Sequence, residues 1–278
     1  MIHIGIIGGG FVGGATSLLS SAHVNTIVYD LDPKKCKPEG TTFDDILKTE
    51  GVFIAVPTPF TSSQEEYGKC NTKIVDIVIK QLKDANYKGY IIVRSTVPVG
   101  YCESRNVHFM PEFLTEKNWA EDFMNCKLWI FGISSAISRE DAIKIKEWFS
   151  TLLNISNVTH KRCEFVSTKE GELIKYFRNC FLAVKVGFSN EMYQFANSLD
   201  IDYENVRKLA CEDERVGHSH TIVPFNGRTG IRQKCLPKEI ASFEYQCKQR
   251  NIRSDIISGT IKRNDELDCP ERDWLEDY

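Results

Sequence analysis

The chain has no run of apolar residues long enough to cross a bilayer, which argues against a membrane-spanning helix. It has no surplus of one charge either: 35 Lys and Arg face 38 Asp and Glu, a net charge of −3. Proteins that grip nucleic acid through phosphate contacts carry a basic excess, so nucleic acid is not an expected partner. None of the ten cysteines forms a CxxC pair, and their spacing is irregular. That excludes the usual zinc and disulfide patterns, so no metal is expected. It predicts reduced, mostly buried thiols in a cytoplasmic protein. The N-terminus reads as a strand, not as a signal peptide, so the sequons at Asn154 and Asn157 carry no weight. Proline is absent between Thr168 and Leu199, which predicts one long helix there.

What the chain does have is a glycine cluster at its start, MIHIGIIGGGFVGGAT. An apolar run (Ile4, Ile6, Ile7) stops at Gly8, and a helical pattern begins near Phe11 and Val12. Gly8 suits a tight turn, Gly10 lets a pyrophosphate approach the backbone, and Gly13 lets the helix pack on the strand. Amide groups at the helix start then face the phosphates. A second strand, Thr26 to Tyr29, ends in Asp30, 22 residues after Gly8. A carboxylate there accepts the ribose hydroxyls and repels a 2′-phosphate, which favours NAD over NADP.

Strand and helix patterns alternate through the first half. Strands are predicted at 51–56, 90–94, 106–109 and 128–131. Helices are predicted at 42–48, at 71–84 (Ile74, Val75, Ile77, Val78, Leu82) and at 138–153 (Ile143, Ile145, Trp148, Phe149). This order predicts a mainly parallel, doubly wound α/β sheet covered by helices. The character changes near Ser167, giving an expected Rossmann domain over 1–166 and a helical domain over 167–278. The helix over 168–199 would span ~45 Å and is the expected domain connector and homodimer seam. A helix at 203–212, a polar loop at 213–233, two more helices and an acidic, solvated tail complete the expectation.

Four further segments matter together with Glu172 to Asn179. They are Val56-Pro57-Thr58-Pro59, Arg94-Ser95-Thr96-Val97-Pro98-Val99-Gly100, Pro111-Glu112-Phe113-Leu114-Thr115-Glu116 and Cys235-Leu236-Pro237-Lys238-Glu239. In this order, behind such a glycine start, the set resembles the UDP-glucose/GDP-mannose dehydrogenase family over about residues 1 to 250. The resemblance implies oxidation of the C6 alcohol of a nucleotide sugar to a carboxylate, with two NAD⁺ and an enzyme-bound thioester, usually as uronate supply for polysaccharide. It implies a cofactor site of Gly8, Gly10, Phe11, Val12, Gly13, Asp30, Lys35, Pro57, Thr58, Ser95 and Thr96. It implies a substrate site of Glu112, Phe113, Leu114, Lys175 and Asn179, with Arg215 reaching across a dimer.

The chemistry agrees with these roles. Two hydride transfers leave an aldehyde between them, and a thiolate can hold it as a thiohemiacetal. Such a cysteine needs a cation nearby, and Cys235 has Lys234 and Lys238 beside it in sequence. Lys175 and Asn179 are four apart on a predicted helix, so an ammonium and an amide share a face toward an oxyanion. Lys185, by contrast, reads as a solvated lysine. By resemblance Thr96 positions a water or proton relay, Glu112 assists hydrolysis and Glu116 lies beside the sugar; alternatively both carboxylates are surface charges of a loop.

Two features depart from the family pattern. Glu239 stands where the family places an aspartate that relays protons. Arg232 and Gln233 stand where its loop has glycines, and they either block the sugar or supply new contacts to its phosphates. The family also continues into a second Rossmann-like domain, so this chain reads as a short form or one part of a split protein. Three functions stay open: a nucleotide-sugar 6-dehydrogenase, most directly of UDP-glucose; a non-catalytic NAD or nucleotide-sugar binder, or partner subunit of a full-length enzyme; and a different hydroxy-acid dehydrogenase.

Overall fold

Seven strands build one sheet: β1 (Ile2–Ile7), β2 (Val24–Tyr29), β3 (Gly51–Ile54), β4 (Tyr90–Val93), β5 (His108–Phe109), β6 (Trp129–Ile133) and β7 (Cys163–Ser167). Their order is β2-β1-β3-β4-β5-β6-β7, and all neighbours are parallel except β5 and β6. The computed structural model describes residues 1–61, 66–115, 117–232 and 235–273. Among the described residues six α-helices accompany the sheet: α1 (Phe11–Ser17), α2 (Phe43–Ile46), α3 (Lys73–Asp84), α4 (Tyr101–Arg105), α5 (Trp119–Met124) and α6 (Arg139–Ile155). This is the doubly wound α/β arrangement expected from the sequence. The chain leaves β1 toward β2 and returns to β3 on the other side of β1. That reversal opens a crevice at the carboxyl ends of β1 and β3, where ligands bind in such sheets.

Helices cover both faces, so the strands are apolar on both sides. Ile4, Ile6 and Phe53 pack with Leu19, Phe123, Phe131 and Phe149, while Ile7, Val52 and Ile54 pack with Val75, Val78, Ile79 and Leu82. Those last four sit at helical spacing on α3 and form its inner face. Ile74 and Ile77, which the sequence pattern counted with them, are exposed, as is Ile143 on α6. Ser138 caps α6, its Oγ accepting from the Asp141 amide at 3.0 Å. The sequence pattern does not foresee α4, α5 or β7. The strand expected at 106–109 shrinks to two residues, because Asn106 adopts a left-handed conformation (φ 50) that closes α4.

The chain divides into two compact units, Met1–Thr58 with Asn71–Lys175, and Pro59–Cys70 with Tyr176–Tyr278. Helix α7 (Thr168–Ser198) has 31 residues and starts in the first unit. The second unit adds α8 (Tyr203–Ala210), α9 (Cys235–Gln249), α10 (Asp255–Arg263) and a π-helical turn, Asn264–Asp268. There Tyr176 is buried, with its hydroxyl 3.0 Å from Ser242 Oγ and its ring 6.0 Å from that of Phe243. Pro237 lies in the first turn of α9, where a missing N–H costs no helical bond.

The expected solvated tail is corrected over its described part, while residues 274–278 lie outside the described residues. Cys269 is fully buried against Phe60 and Tyr67, and the Tyr67 hydroxyl donates to Asp265 at 3.3 Å. Along α7, Phe177, Phe181, Phe188, Met192 and Phe195 form an exposed apolar stripe. Among the described residues no helix is long and apolar enough to cross a membrane.

Candidate active site

The crevice of the first unit is lined by the glycine turn. Gly8 has φ +102, and a Cβ there would lie 2.4 Å from the Ala55 carbonyl oxygen, so a side chain is excluded. A Cβ on Gly13 would lie 1.8 Å from the Gly8 carbonyl oxygen, which is how α1 seats on the end of β1. A Cβ on Gly10 would meet nothing within 4 Å. The backbone there faces open space, as a pyrophosphate requires. Phe11 is exposed and Val12 half-buried beside it.

Asp30 follows β2. Its Oδ2 accepts from the Gly9 amide at 2.6 Å and its Oδ1 from the Asp32 amide at 2.9 Å. The carboxylate is therefore fixed next to the glycine turn. Lys35 closes the short turn after it, its Cβ lying 2.7 Å from where a Gly9 Cβ would stand. The loop after β3 joins from the other side: Thr58 is buried, Pro57 is exposed, and Ser95 Oγ donates to the Val56 carbonyl at 2.7 Å. Thr96, next along, is buried. The donor set and the open backbone at Gly10 fit a dinucleotide.

Beyond β5 the chain reaches Glu112. Its Oε1 lies 2.6 Å from Lys175 Nζ, and its Oε2 accepts from the Leu114 amide at 3.0 Å. Lys175 also donates to the Glu112 carbonyl at 3.1 Å. Both side chains are buried, Lys175 to 1% exposure, so Glu112 is not a surface charge and Lys175 not a solvated lysine. Burial pushes the Glu112 carboxyl up, but Lys175, the Leu114 amide and Arg94 together hold it below the ordinary glutamate range. Phe113 and Leu114 are half-buried. Glu116 lies outside the described residues.

Two charges in this unit stand in the quoted segments but were given no role from sequence. Arg94 is buried with its guanidinium 5.5 Å from the Phe123 ring, and burial lowers its pKa to about 10. It lines, with Glu112, Phe113 and Leu114, a cavity of about 30 Å³, the size of one water molecule. Glu172, fully buried in α7, accepts from the Gly100 and Cys102 amides at 2.5 and 2.8 Å. It ties the loop carrying Thr96 to the helix carrying Lys175. In the sequence Glu172 opens the segment that runs to Asn179, but nothing local gives it a role different from that of any helical glutamate.

In the second unit Asn179 Nδ2 donates to Glu239 Oε2 at 2.7 Å. Glu239 is fully buried. Cys235 is the first residue of α9 and is partly exposed, and Glu239 follows one turn later on the same face. The positive end of a helix favours an anion at its first residues. Each described cysteine is a thiol outside any disulfide. Gln233 and Lys234 lie outside the described residues. Arg215 projects from the loop after α8 with 90% of its side chain exposed, paired only locally with Asp213 Oδ2 at 2.5 Å among the described residues. Lys185 corrects an expectation: it is not merely solvated but donates to the Val216 and Gly217 carbonyls at 2.7 and 2.9 Å, holding that loop on α7.

Two family models match the chain: the UDP-glucose/GDP-mannose dehydrogenase family, NAD binding domain, over residues 39–150, and the central domain of the same family over residues 169–266. A UDP-glucose 6-dehydrogenase of Rickettsia bellii is 30% identical over 236 residues, covering 80% of this chain and 51% of that protein. One from Pseudomonas aeruginosa is 29% identical over 252 residues, covering 84% of this chain and 52% of that protein. The chain thus spans about half the length of the curated relatives it matches. A solved UDP-glucose dehydrogenase from Pyrobaculum islandicum superposes with a TM-score of 0.79 at 20% identity, covering 95% of this chain and 68% of that one. It shares the fold. With the NAD binding domain matched, NAD is the cofactor.

Proposed function

Because the chain belongs to the UDP-glucose/GDP-mannose dehydrogenase family, we propose that it oxidises C6 of a nucleotide sugar, UDP-glucose in the first instance, from alcohol to carboxylate. NAD⁺, when bound, would accept one hydride, so two NAD⁺ in succession would serve one sugar. Gly8, Gly10, Phe11, Val12, Gly13 and Asp30 hold the cofactor, with Lys35, Pro57, Thr58, Ser95 and Thr96 completing its site. The C6 hydroxyl proton leaves through the water or proton relay at Thr96, and Lys175 and Asn179 stabilise the oxygen at C6 as negative charge develops on it. The Cys235 sulfur adds to the aldehyde carbon, forming a C–S bond. Once the second hydride has left, that thiohemiacetal is a thioester. Water then breaks the C–S bond, its proton passing to Glu112 while Thr96 positions it, and the thiolate is regenerated. Glu239 exchanges a proton with Cys235 one turn before it. Glu116 and the Phe113-Leu114 backbone contact the sugar.

The observation that supports this reading most directly is the link from Asn179 to Glu239, on the face of α9 that begins with Cys235. The start of a helix favours the Cys235 thiolate, and a carboxylate one turn along the same face can exchange a proton with it. The test is NADH counted per UDP-glucose. Two equivalents are expected, and Cys235→Ser is expected to stall after the first oxidation or to fail entirely. Acid formed by Cys235→Ser at the normal rate would sink the thioester. One equivalent with another substrate would point to a hydroxy-acid dehydrogenase.

A second reading, a non-catalytic binder or partner subunit, is favoured by one observation: Arg232 occupies the family's glycine position in the loop before Cys235. Binding of NAD and UDP-glucose without NADH release, or release only with a full-length relative present, would establish it. In either reading we propose a homodimer in the cytoplasm. A second copy covers the stripe of Phe177, Phe181, Phe188, Met192 and Phe195 on α7, and Arg215 reaches the substrate of that copy. Light scattering should give twice the chain mass of 31.7 kDa, and Phe181→Glu with Phe188→Glu should halve it.

A further inference from the structure

The loop that runs into Cys235 carries Arg228 and Arg232, and both aim at one oxygen. Arg228 Nη1 lies 2.8 Å from Asp273 Oδ2, and Arg232 Nη1 lies 2.7 Å from the same atom. Arg232 Nη2 reaches Glu271 Oε1 at 2.6 Å. The plane of the Arg232 guanidinium is set from within the loop, since its Nε donates to the Thr229 carbonyl at 2.6 Å.

The loop itself is held without these ion pairs. Gly230 donates to Asn190 Oδ1 at 3.0 Å, Ile231 donates to Asn264 Oδ1 at 2.6 Å, and Thr229 Oγ1 donates to the Asp268 carbonyl at 2.9 Å. Asn190, Asn264 and Asp268 are all buried. The two guanidinium groups are thus presented by anchors that do not depend on the carboxylates they touch. Two guanidiniums converging on one oxyanion, one of them with its fork spread over a second, is the arrangement that recognises phosphate oxygens. The Arg228 side chain is 66% exposed, so the place is open to solvent.

We propose that Arg228 and Arg232 form a binding site for a diphosphate group, and that Asp273 and Glu271 occupy it as an internal competitor. Free pyrophosphate carries more charge than the two carboxylates and offers more terminal oxygens, so it displaces them; the diphosphate diester of a nucleotide sugar matches them in charge and competes through bidentate contacts to both guanidiniums. The displaced segment swings off the loop that leads to Cys235. The site does not depend on the dehydrogenase reading, because inorganic pyrophosphate is itself a probe.

The test is calorimetric titration of the whole chain with pyrophosphate, with UDP-glucose and with NAD, at low and at physiological ionic strength. Pyrophosphate is expected to bind weakly, and less so as salt rises. Asp273→Asn with Glu271→Gln keeps the shapes and removes the competing charge, and should tighten pyrophosphate about tenfold, or 1.4 kcal/mol. Arg228→Gln should weaken it about tenfold. UDP-glucose following the same pattern assigns the site to a nucleotide-sugar diphosphate; pyrophosphate responding alone assigns it to the free anion. NAD affinity should not move, since its site is elsewhere in the chain. A folded double variant with no gain in pyrophosphate affinity overturns the proposal. Should that variant not melt cooperatively, Arg228→Gln decides: unchanged pyrophosphate binding, or none in the unaltered chain, overturns it equally.

Discussion

Lys175 Nζ sits 2.6 Å from Glu112 Oε1 with both side chains buried. A pair of this kind is costly to break from one side, because the remaining charge stays in the interior. Lys175→Met should therefore lose about 3–5 kcal/mol in urea unfolding. Lys175→Met with Glu112→Leu should recover part of that loss. Because the folded Glu112 carboxyl is held below its ordinary range, its contribution is complete above about pH 4.3. It disappears as pH falls through the depressed folded value. A single variant that unfolds like the parent protein would show the pair to be solvated.

His108 gives a separate pH dependence. Burial lowers its pKa from 6.5 to about 4, so the folded protein keeps the ring neutral while the unfolded chain takes up a proton. Stability from this group is complete above about pH 6.5 and is lost as pH falls toward about 4. The loss should not exceed about 3.4 kcal/mol. His108→Gln should flatten the stability curve over that interval, and an unchanged slope would remove His108 as its source.

The glycine turn separates fold from cofactor. Gly13→Ala places a Cβ 1.8 Å from a carbonyl oxygen, so it should unfold or displace α1. Gly10→Ala meets no protein atom within 4 Å, and its melting curve should stay close to that of the parent. Its NAD affinity, by contrast, should fall by an order of magnitude or more, because the methyl enters the space assigned to the pyrophosphate. Equal NAD affinity in Gly10→Ala would move the phosphates away from this turn.

The turn was legible in the sequence because its requirements are local: a positive φ at Gly8 and a close approach at Gly13 leave glycine as the choice. The helices α3 and α6 were legible because their buried positions recur at helical spacing. What stayed hidden depends on the path of the chain between distant loops. Glu172 meets amides about seventy positions earlier, at Gly100 and Cys102, and Arg232 meets carboxylates about forty positions later. Periodicity reports neighbours on one element and says nothing of such pairs. β7 was missed for a related reason: only its pairing with β6 makes Cys163–Ser167 a strand.

Glu239 stands where the family pattern has aspartate, and its Oε2 accepts from Asn179 Nδ2 at 2.7 Å. Removing the acceptor altogether, in Glu239→Ala, leaves that amide unpaired and should cost about 1–3 kcal/mol. Glu239→Gln keeps an oxygen for Asn179 and removes only the charge, so its stability should stay within about 1 kcal/mol of the parent. The two variants thus separate hydrogen bond from charge. If the carboxylate exchanges a proton with Cys235, Glu239→Gln should slow NADH release from UDP-glucose at least tenfold, with a changed pH profile and unaltered NAD affinity. A Gln variant as fast as the parent would reduce Glu239 to a support for Asn179, and the proton of Cys235 would need another acceptor.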